Sequence, residues 1–255
     1  SQLFGNSPEE TFEKAFTSKA SGYRAVKFGW GNFGRGSLEA DIAHVIAARE
    51  GIGNESYLMI DAGTVWNEDF SAAKQRLRIL KQANVYWLEE PFINGALNAY
   101  KNLSSATPAV PLAGGEGCNN FVQAQAMLDY AGLQFIQIDA GRVGGISIAK
   151  RVADLAAVKN VRYVNHTFTS HLALSASLQS YAGMKNDQIS EYPVELKPLA
   201  REISKEKILP DANGFIHVPE KPGLGITVNS VALQKYLVKA EIRVDDKVIY
   251  STPEL

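Results

Sequence analysis

The sequence predicts an α/β domain in which short parallel strands alternate with helices. Seven runs are apolar almost throughout and rich in Val, Ile, Tyr and Trp, which is typical of parallel strands covered by helices. In chain order they are Ala25–Phe28, Tyr57–Ile60, Val85–Leu88, Pro111–Ala113, Phe135–Ile138, Arg162–Val164 and Gln188–Ser190, the fourth and the last being the weaker. The segments between them have helical periodicity, so the simplest architecture is a (β/α) barrel.

The helical period is clearest in two of the intervening segments. Their apolar positions are Leu38, Ile42, Val45 and Ile46 in the first, and Phe70, Ala73, Leu77 and Leu80 in the second. Each set would line one face of a helix. An earlier helix is predicted to start after Ser7, a capping residue followed by Pro8 and two glutamates. An open doubly wound sheet is the alternative, but no G-x-G-x-x-G signature follows the early strands, which weakens a dinucleotide-binding interpretation.

The two ends of the chain depart from this repeat. Only Ser1–Phe4 remain for a strand before the first helix, so we expect the chain to start inside the first barrel strand. Near the other end, Ala240–Val244 and Lys247–Tyr250 predict a β-hairpin around Asp245-Asp246. The expected organisation is a barrel over residues 1–237 and a hairpin tail over residues 238–255.

Composition excludes several classes of protein. The chain has 255 residues, 45% of them hydrophobic and 21% charged, with a formal net charge of -1. It shows no basic patch that would indicate nucleic acid as a partner. No apolar run is long enough to span a bilayer, and no secretory signal opens the chain. The lone cysteine, Cys118, excludes an internal disulfide and suits a reducing cytoplasm, where we expect the protein to work.

An ionisable residue lies close to the carboxyl end of each predicted strand. In order these are Lys27, Asp61, Glu89, Glu116, Asp139, His166 and Glu191. From Asp61 onward they are 23 to 28 positions apart, close to one strand–helix unit of roughly 30 residues. A charged residue after a single strand often only begins a solvated loop. A series of such residues, spaced by one strand–helix unit, is improbable by chance. In a barrel, the carboxyl ends of the strands converge on the face that holds active sites.

The residue types indicate a metal-assisted reaction at a carbon acid. Asp61, Glu89 and Glu116 would repel one another unless a cation lay between them, and ligation by oxygen alone favours Mg²⁺ over zinc. Asp139 next to His166 would fix the imidazole tautomer and make His166 a general base. The metal and Lys27 could then hold a substrate carboxylate and stabilise an enediolate. Glu191 is expected to hydrogen-bond a substrate oxygen or to act as a second acid, and Trp66 and Trp87 to be packing residues.

Several motifs together resemble the enolase superfamily, in particular its mandelate racemase-like subgroup. The resemblance runs from about Leu3 to Val228, and only the whole set is specific. The matching segments are Ala25-Val26-Lys27, Ile60-Asp61-Ala62, Trp87-Leu88-Glu89-Glu90-Pro91, Gly114-Gly115-Glu116, Ile138-Asp139-Ala140-Gly141-Arg142-Val143-Gly144-Gly145, His166 with Ser170-His171-Leu172-Ala173-Leu174, Glu191-Tyr192-Pro193 and Pro222-Gly223-Leu224-Gly225.

The resemblance implies a modified (β/α)8 TIM barrel of the (β/α)7β type. It implies Asp61, Glu89 and Glu116 as Mg²⁺ ligands, with Asp139 and His166 as the catalytic pair. Glu191 is implied as the acid of the eighth strand. Arg142 matches a basic loop residue that orders the site, and we expect Arg142 and Trp30 to contact the substrate, with Lys27 also in the catalytic set. Family members are commonly homo-oligomers, which we expect here too.

Two departures from the family pattern shape the predicted activity. The second lysine of a Lys-x-Lys pair, the base for the opposite face, is replaced in Lys27-Phe28-Gly29. A single base, His166, fits dehydration of an acid sugar to a 2-keto-3-deoxy acid better than racemisation. A racemase or epimerase, or a degenerate non-catalytic barrel, remains the alternative. The second departure is at the N-terminus, where we expect the chain to lack the N-terminal α+β capping domain that sets substrate choice in the family.

Overall fold

Seven parallel strands form one sheet in sequence order in the computed structural model, which describes residues 1–184 and 189–253. The strands are β1 (Gln2–Leu3), β2 (Ala25–Gly29), β3 (Tyr57–Asp61), β4 (Val85–Glu89), β5 (Leu112–Gly114), β6 (Phe135–Ile138) and β7 (Arg162–Asn165). Each strand pairs in parallel with the next along the chain. The chain-order pairing is that of a barrel rather than of a doubly wound sheet, which confirms the predicted fold class.

A helix follows each of these strands. The seven are α1 (Pro8–Ala20), α2 (Leu38–Ile52), α3 (Phe70–Gln82), α4 (Leu97–Ala106), α5 (Phe121–Tyr130), α6 (Ile146–Val158) and α7 (His171–Leu178). The predicted start of α1 is confirmed, because the Ser7 side chain accepts a hydrogen bond from the Glu10 amide. Ser170 caps α7 in the same way. The predicted apolar positions of α2 and α3 are buried or half-buried, with one exception. Ile46 is 41% exposed, while its neighbour Val45 is fully buried.

Two hydrophobic layers surround the strands. The inner layer fills the space enclosed by the sheet and consists of Met59, Trp87, Ala113, Phe135 and Val164. The outer and larger layer lies between the sheet and the helices, and includes fully buried side chains such as Phe28 and Leu88. Strand residues therefore bury both of their faces, which explains why the strands are apolar nearly throughout.

The eighth strand, predicted weakly at Gln188–Ser190, is not formed in the part of the chain that the structure describes. Gln188 lies outside the described residues, and Ile189 and Ser190 belong to no strand. Side chains instead satisfy the backbone of this segment. Asn165 accepts from the Glu191 amide at 2.8 Å and donates to the Glu191 carbonyl at 3.3 Å, while the Tyr181 hydroxyl donates to the Ile189 carbonyl. Because these bonds replace a strand ladder, the segment lies beside β7 without pairing as a strand.

The same segment also reaches the first strand. The amino group of Ser1 donates to the Tyr192 carbonyl at 2.8 Å, and the Leu3 amide donates to the Glu195 carboxylate at 3.1 Å. Residues 189–195 therefore contact both edges of the seven-stranded sheet, so the sheet curls toward closure and the carboxyl ends of its strands face a common mouth.

The remaining described α-helices and strands follow this segment. They are α8 (Pro198–Glu202), α9 (Ser230–Leu233) and the antiparallel strands β8 (Glu241–Val244) and β9 (Lys247–Ser251). The predicted hairpin is confirmed, and its turn residues Asp245 and Asp246 both have positive φ, as a tight hairpin turn requires. Among the helices of the described residues, none has both the length and the apolar character needed to cross a membrane.

Candidate active site

Three carboxylates meet at the mouth of the sheet. Asp61 and Glu89 end β3 and β4 and are register partners, and Glu116 lies two residues beyond β5. One oxygen from each lies within 4.8 Å of the others, and all three side chains are buried. The structure therefore brings together the residues that the sequence analysis expected to hold a metal.

The electrostatics of this triad favour a bound cation. Burial, followed by repulsion from Glu89, raises the pKa of Asp61 well above its usual value, although Lys27 opposes the shift. Burial also raises the pKa of Glu89. Both shifts mean that the ionised carboxylates are destabilised where they lie. A hard divalent cation bound by the three carboxylates would offset their repulsion and the cost of burying their charges. The residues present therefore fit such a metal.

Lys27 lies inside the ring of strands, among carboxylates. Its ammonium forms an ion pair with Glu89, a second with Glu191 at 2.7 Å and a longer one with Asp61 at 3.8 Å. Burial alone would lower the pKa of Lys27, but the attraction of these carboxylates holds it well above its ordinary value. Lys27 is therefore a fixed positive charge beneath the mouth, and its expected contact with a substrate carboxylate stays a prediction.

His166 and Asp139 form the expected pair. Nδ1 of His166 is 2.9 Å from Oδ2 of Asp139, while Nε2 is 3.0 Å from Oε2 of Glu116. The other oxygen of Asp139 accepts from the amides of Gly141 and Arg142, which fixes the carboxylate in the β6–α6 loop. The imidazole is thus oriented through one nitrogen and presents the other to the acidic triad.

The charge state of the pair follows from these contacts. Burial would lower the pKa of His166, but the hydrogen bond that it donates to Asp139 and the charges of Glu191 and Glu116 raise it to about 9. Burial would raise the pKa of Asp139, yet its bond to His166 outweighs this and lowers it. In the metal-free protein at neutral pH, the pair is an imidazolium next to a carboxylate.

Glu191 reaches the site although no strand precedes it among the described residues of its segment. One oxygen pairs with Lys27, and the other accepts from the Thr167 amide at 2.7 Å and lies 3.9 Å from Nε2 of His166. Burial would raise the pKa of Glu191, but Lys27 and then His166 lower it to about 2. Glu191 is therefore ionised and links the lysine to the carboxyl end of β7.

The two expected substrate contacts lie on different parts of the rim. Arg142 donates to Oε1 of Glu116 at 3.0 Å, and its guanidinium lies over the ring of Phe168. Trp30 follows β2, has positive φ and is 52% exposed. A Cβ atom at Gly63 would lie 3.2 Å from its indole ring. Arg142 is thus engaged with a triad carboxylate, while Trp30 offers an open aromatic surface; substrate contact by either stays a prediction.

Two features of the site were missed by the sequence analysis. Trp87 is more than a packing residue, because its indole Nε1–H donates to Oε2 of Glu89 at 2.8 Å. The sequence contained a signal for this contact, because Trp87 and Glu89 are two residues apart on a strand and therefore share a face. Phe168, 53% exposed, packs against the His166 ring with centroids 5.4 Å apart. No motif pointed to it.

The absence of the second lysine has a structural explanation. Gly29 is the register partner of Asp61, and a Cβ atom placed on Gly29 would lie 2.6 Å from the Cβ of Asp61. Such contacts are not tolerated without backbone movement. A side chain at this position would therefore displace a residue of the acidic triad.

A parallel barrel sheet with a buried acidic triad and a His–Asp pair at its mouth defines an α/β barrel with a candidate metal and acid–base site. A family model described as "Enolase C-terminal domain-like" matches residues 11–232. The chain therefore belongs to the enolase superfamily, and the match falls on its C-terminal barrel domain.

Individual relatives agree with this assignment. A D-galactarolactone cycloisomerase from Agrobacterium fabrum is 30% identical over 86% of this chain and 58% of its own length. A D-xylonate dehydratase from Haloferax volcanii is 28% identical over 82% of this chain and 50% of its own. A crystal structure described as a predicted mandelate racemase from Rhodobacter sphaeroides is 52% identical, with a TM-score of 0.91, covering 99% of this chain and 64% of that one.

The relatives share a superfamily but not one reaction. They include acid-sugar dehydratases, cycloisomerases and a racemase. This chain spans between half and two thirds of the length of the relatives named above. The activity of the whole protein is therefore a matter for proposal.

Proposed function

We propose that the protein is a Mg²⁺-dependent lyase that removes the proton alpha to a carboxylate and dehydrates an acid sugar to a 2-keto-3-deoxy acid. The observation that carries the proposal is the position of His166. Its Nδ1 is held by Asp139, and its Nε2 lies 3.0 Å from Glu116 in the acidic triad. A general base next to a site for a carboxylate-binding cation is the arrangement that carbon-acid chemistry needs.

Asp61, Glu89 and Glu116 would hold the metal. When bound, Mg²⁺ would hold the substrate carboxylate, stabilise negative charge building on it and offset the Glu116 charge that retains the His166 proton. Lys27 adds a fixed positive charge beneath the triad. Glu191, ionised and 3.9 Å from Nε2, limits the positions that the imidazole can adopt and can accept a hydrogen bond from a substrate hydroxyl.

The proton moves through one nitrogen of His166. Neutral His166 takes the alpha proton at Nε2 while Asp139 keeps the Nδ1 proton in place. The imidazolium then returns that proton to the beta hydroxyl, which leaves as water as the carbon–oxygen bond breaks. The enol that remains tautomerises to the 2-keto-3-deoxy acid. His166 ends the cycle in the state in which it began, so one base serves both steps.

The blocked position at Gly29 supports elimination over racemisation. Inversion at the alpha carbon needs a second base on the opposite face, and Gly29 has neither a side chain nor room for one. Lys27, two residues earlier on the same strand, is already paired with three carboxylates. The acid-sugar dehydratases among the relatives support a small hydroxylated carboxylate as the substrate.

Racemisation remains the second candidate, because the 52% identical crystal structure is described as a predicted mandelate racemase. Proton NMR in D₂O separates the two. The protein in its longest natural form would be incubated with a library of acid sugars, with Mg²⁺ and then with EDTA. Loss of a hydroxyl and appearance of a keto-deoxy product only with metal would support the dehydratase. Alpha-deuteration or epimer formation without elimination would replace it with the racemase, and silence toward every acid would count against both.

A further inference from the structure

We infer that Trp87 is a positioning residue for the metal site: its indole N–H fixes the carboxylate of Glu89 from inside the ring of strands and raises the affinity of the site for a divalent cation. The inference rests on the proposed metal site but not on the reaction carried out there. It assigns a chemical task to a side chain whose size and burial alone would suggest packing.

The geometry comes from the alternation of strand residues. Trp87 and Glu89 are two apart in β4, so both point to the interior of the sheet. The indole Nε1–H donates to Oε2 of Glu89 at 2.8 Å, and neither side chain is more than 2% exposed. Water therefore cannot replace this donor, and its loss would leave a buried carboxylate oxygen without its partner.

Glu89 is held at both oxygens. Lys27 donates to Oε1, while Trp87 donates to Oε2. A carboxylate oxygen has more than one lone pair, so each oxygen can accept from its donor and still face Asp61 and Glu116. The lysine supplies charge, whereas the indole supplies a neutral donor of fixed direction.

The indole cannot easily turn away. Its ring packs against Phe135 with centroids 4.9 Å apart and against Tyr86 at 5.6 Å. A donor locked by packing keeps the Glu89 carboxylate in one orientation before any cation arrives. Supporting hydrogen bonds of this kind are typically worth 10- to 100-fold in metal affinity.

The chain contains a matched control. Trp66 is buried to a similar degree, at 5% exposure, and its Nε1 has no hydrogen-bond partner among the described residues. Trp66→Phe therefore removes the same atoms as Trp87→Phe without removing a hydrogen bond. Packing loss is common to both variants, and only Trp87→Phe removes the donor to Glu89.

The test is calorimetric titration of Mg²⁺ into the EDTA-treated and dialysed protein. We expect Trp87→Phe to weaken binding on the order of 10- to 100-fold, and Trp66→Phe to change it less than about twofold. Equal affinity in Trp87→Phe and the unaltered protein would overturn the inference while leaving the metal site intact. Failure of the unaltered protein to bind Mg²⁺ would remove both the inference and the proposed function.

A second measurement does not depend on the folding of Trp87→Phe. The chain has three tryptophans, so the double variant Trp30→Phe/Trp66→Phe leaves Trp87 as the sole emitter. We expect its fluorescence to change with Mg²⁺ along the calorimetric binding curve, because the indole N–H touches a ligand of the cation. Emission that stays constant while Mg²⁺ binds would overturn the inference.

Discussion

Nε2 of His166 lies 3.0 Å from Oε2 of Glu116, so the nitrogen proposed to take the substrate proton faces a carboxylate proposed to bind the metal. In the metal-free protein this contact and the bond to Asp139 keep the imidazole protonated. The charge of Glu116 therefore helps to hold the proton on His166, and a cation bound at the acidic triad would offset that charge and free Nε2 to act as the base.

The first prediction concerns stability against pH without metal. The pKa of His166 is raised from 6.5 to about 9 in the folded protein. Its contribution to stability is therefore complete below about pH 6.5 and is lost as pH rises through about 9. In EDTA, we expect the advantage of the unaltered protein over His166→Asn to shrink by up to about 3 kcal/mol across that range. Urea unfolding at several pH values measures it, and a pH-independent difference would contradict the assignment.

The second prediction concerns the base itself. His166→Asn removes the proton acceptor but leaves Asp61, Glu89 and Glu116 in place. We expect alpha-proton exchange in D₂O to fall at least 10²-fold, the usual loss on removing a general base, while Mg²⁺ still binds by calorimetry. Exchange at the unaltered rate in this variant would sink the assignment of His166.

The third prediction separates stability from metal binding. Asp61 is destabilised as an anion by burial and by Glu89. Asp61→Asn removes that charge and can keep the bond that Oδ1 accepts from the Gly63 amide. In EDTA we expect the variant to melt at a higher temperature than the unaltered protein, yet to gain nothing from Mg²⁺. Asp154→Asn, at an exposed position of α6, should keep the full Mg²⁺-dependent rise in melting temperature.

The fourth prediction concerns the space at Gly29. A Cβ atom there would lie 2.6 Å from that of Asp61, whereas one at Gly95 would meet nothing within 4 Å. We expect Gly29→Ala to cost about 1–3 kcal/mol through overpacking and to weaken Mg²⁺ binding by displacing Asp61. Gly95→Ala, the matched control, should leave both unchanged. Chemical denaturation and calorimetry measure the two effects, and a Gly29→Ala protein indistinguishable from Gly95→Ala would refute the close contact.

The fold could be predicted from the sequence because most strands are nearly continuous apolar runs, repeated at the spacing of one strand–helix unit. Asp61 and Glu89 could be placed together because parallel strands of similar length end at the same edge. Glu191 lies in the site, as its place in the series of ionisable residues suggested. Its predicted strand is not formed among the described residues, and Asn165, which no pattern singled out, holds its backbone.

Other features depend on tertiary distances that a linear pattern does not encode. The ion pairs of Lys27 with Glu89 and Glu191 cross the interior of the sheet between residues far apart in the chain. The contact of Arg142 with Glu116 likewise depends on how two loops fold over the mouth. The sequence predicted these residues as members of one site, but it did not predict which opposite charges pair with one another.

The backbone of Glu191 is held by hydrogen bonds to the side chain of Asn165, and this has a consequence for heat inactivation. A segment held by side-chain bonds opens locally at a lower free energy than a central strand with a full ladder. On warming, this acid should therefore leave the site while β2–β7 and their helices remain folded. Catalysis would then fade several degrees below the melting transition seen by circular dichroism, and prompt cooling would restore it without refolding of the whole chain.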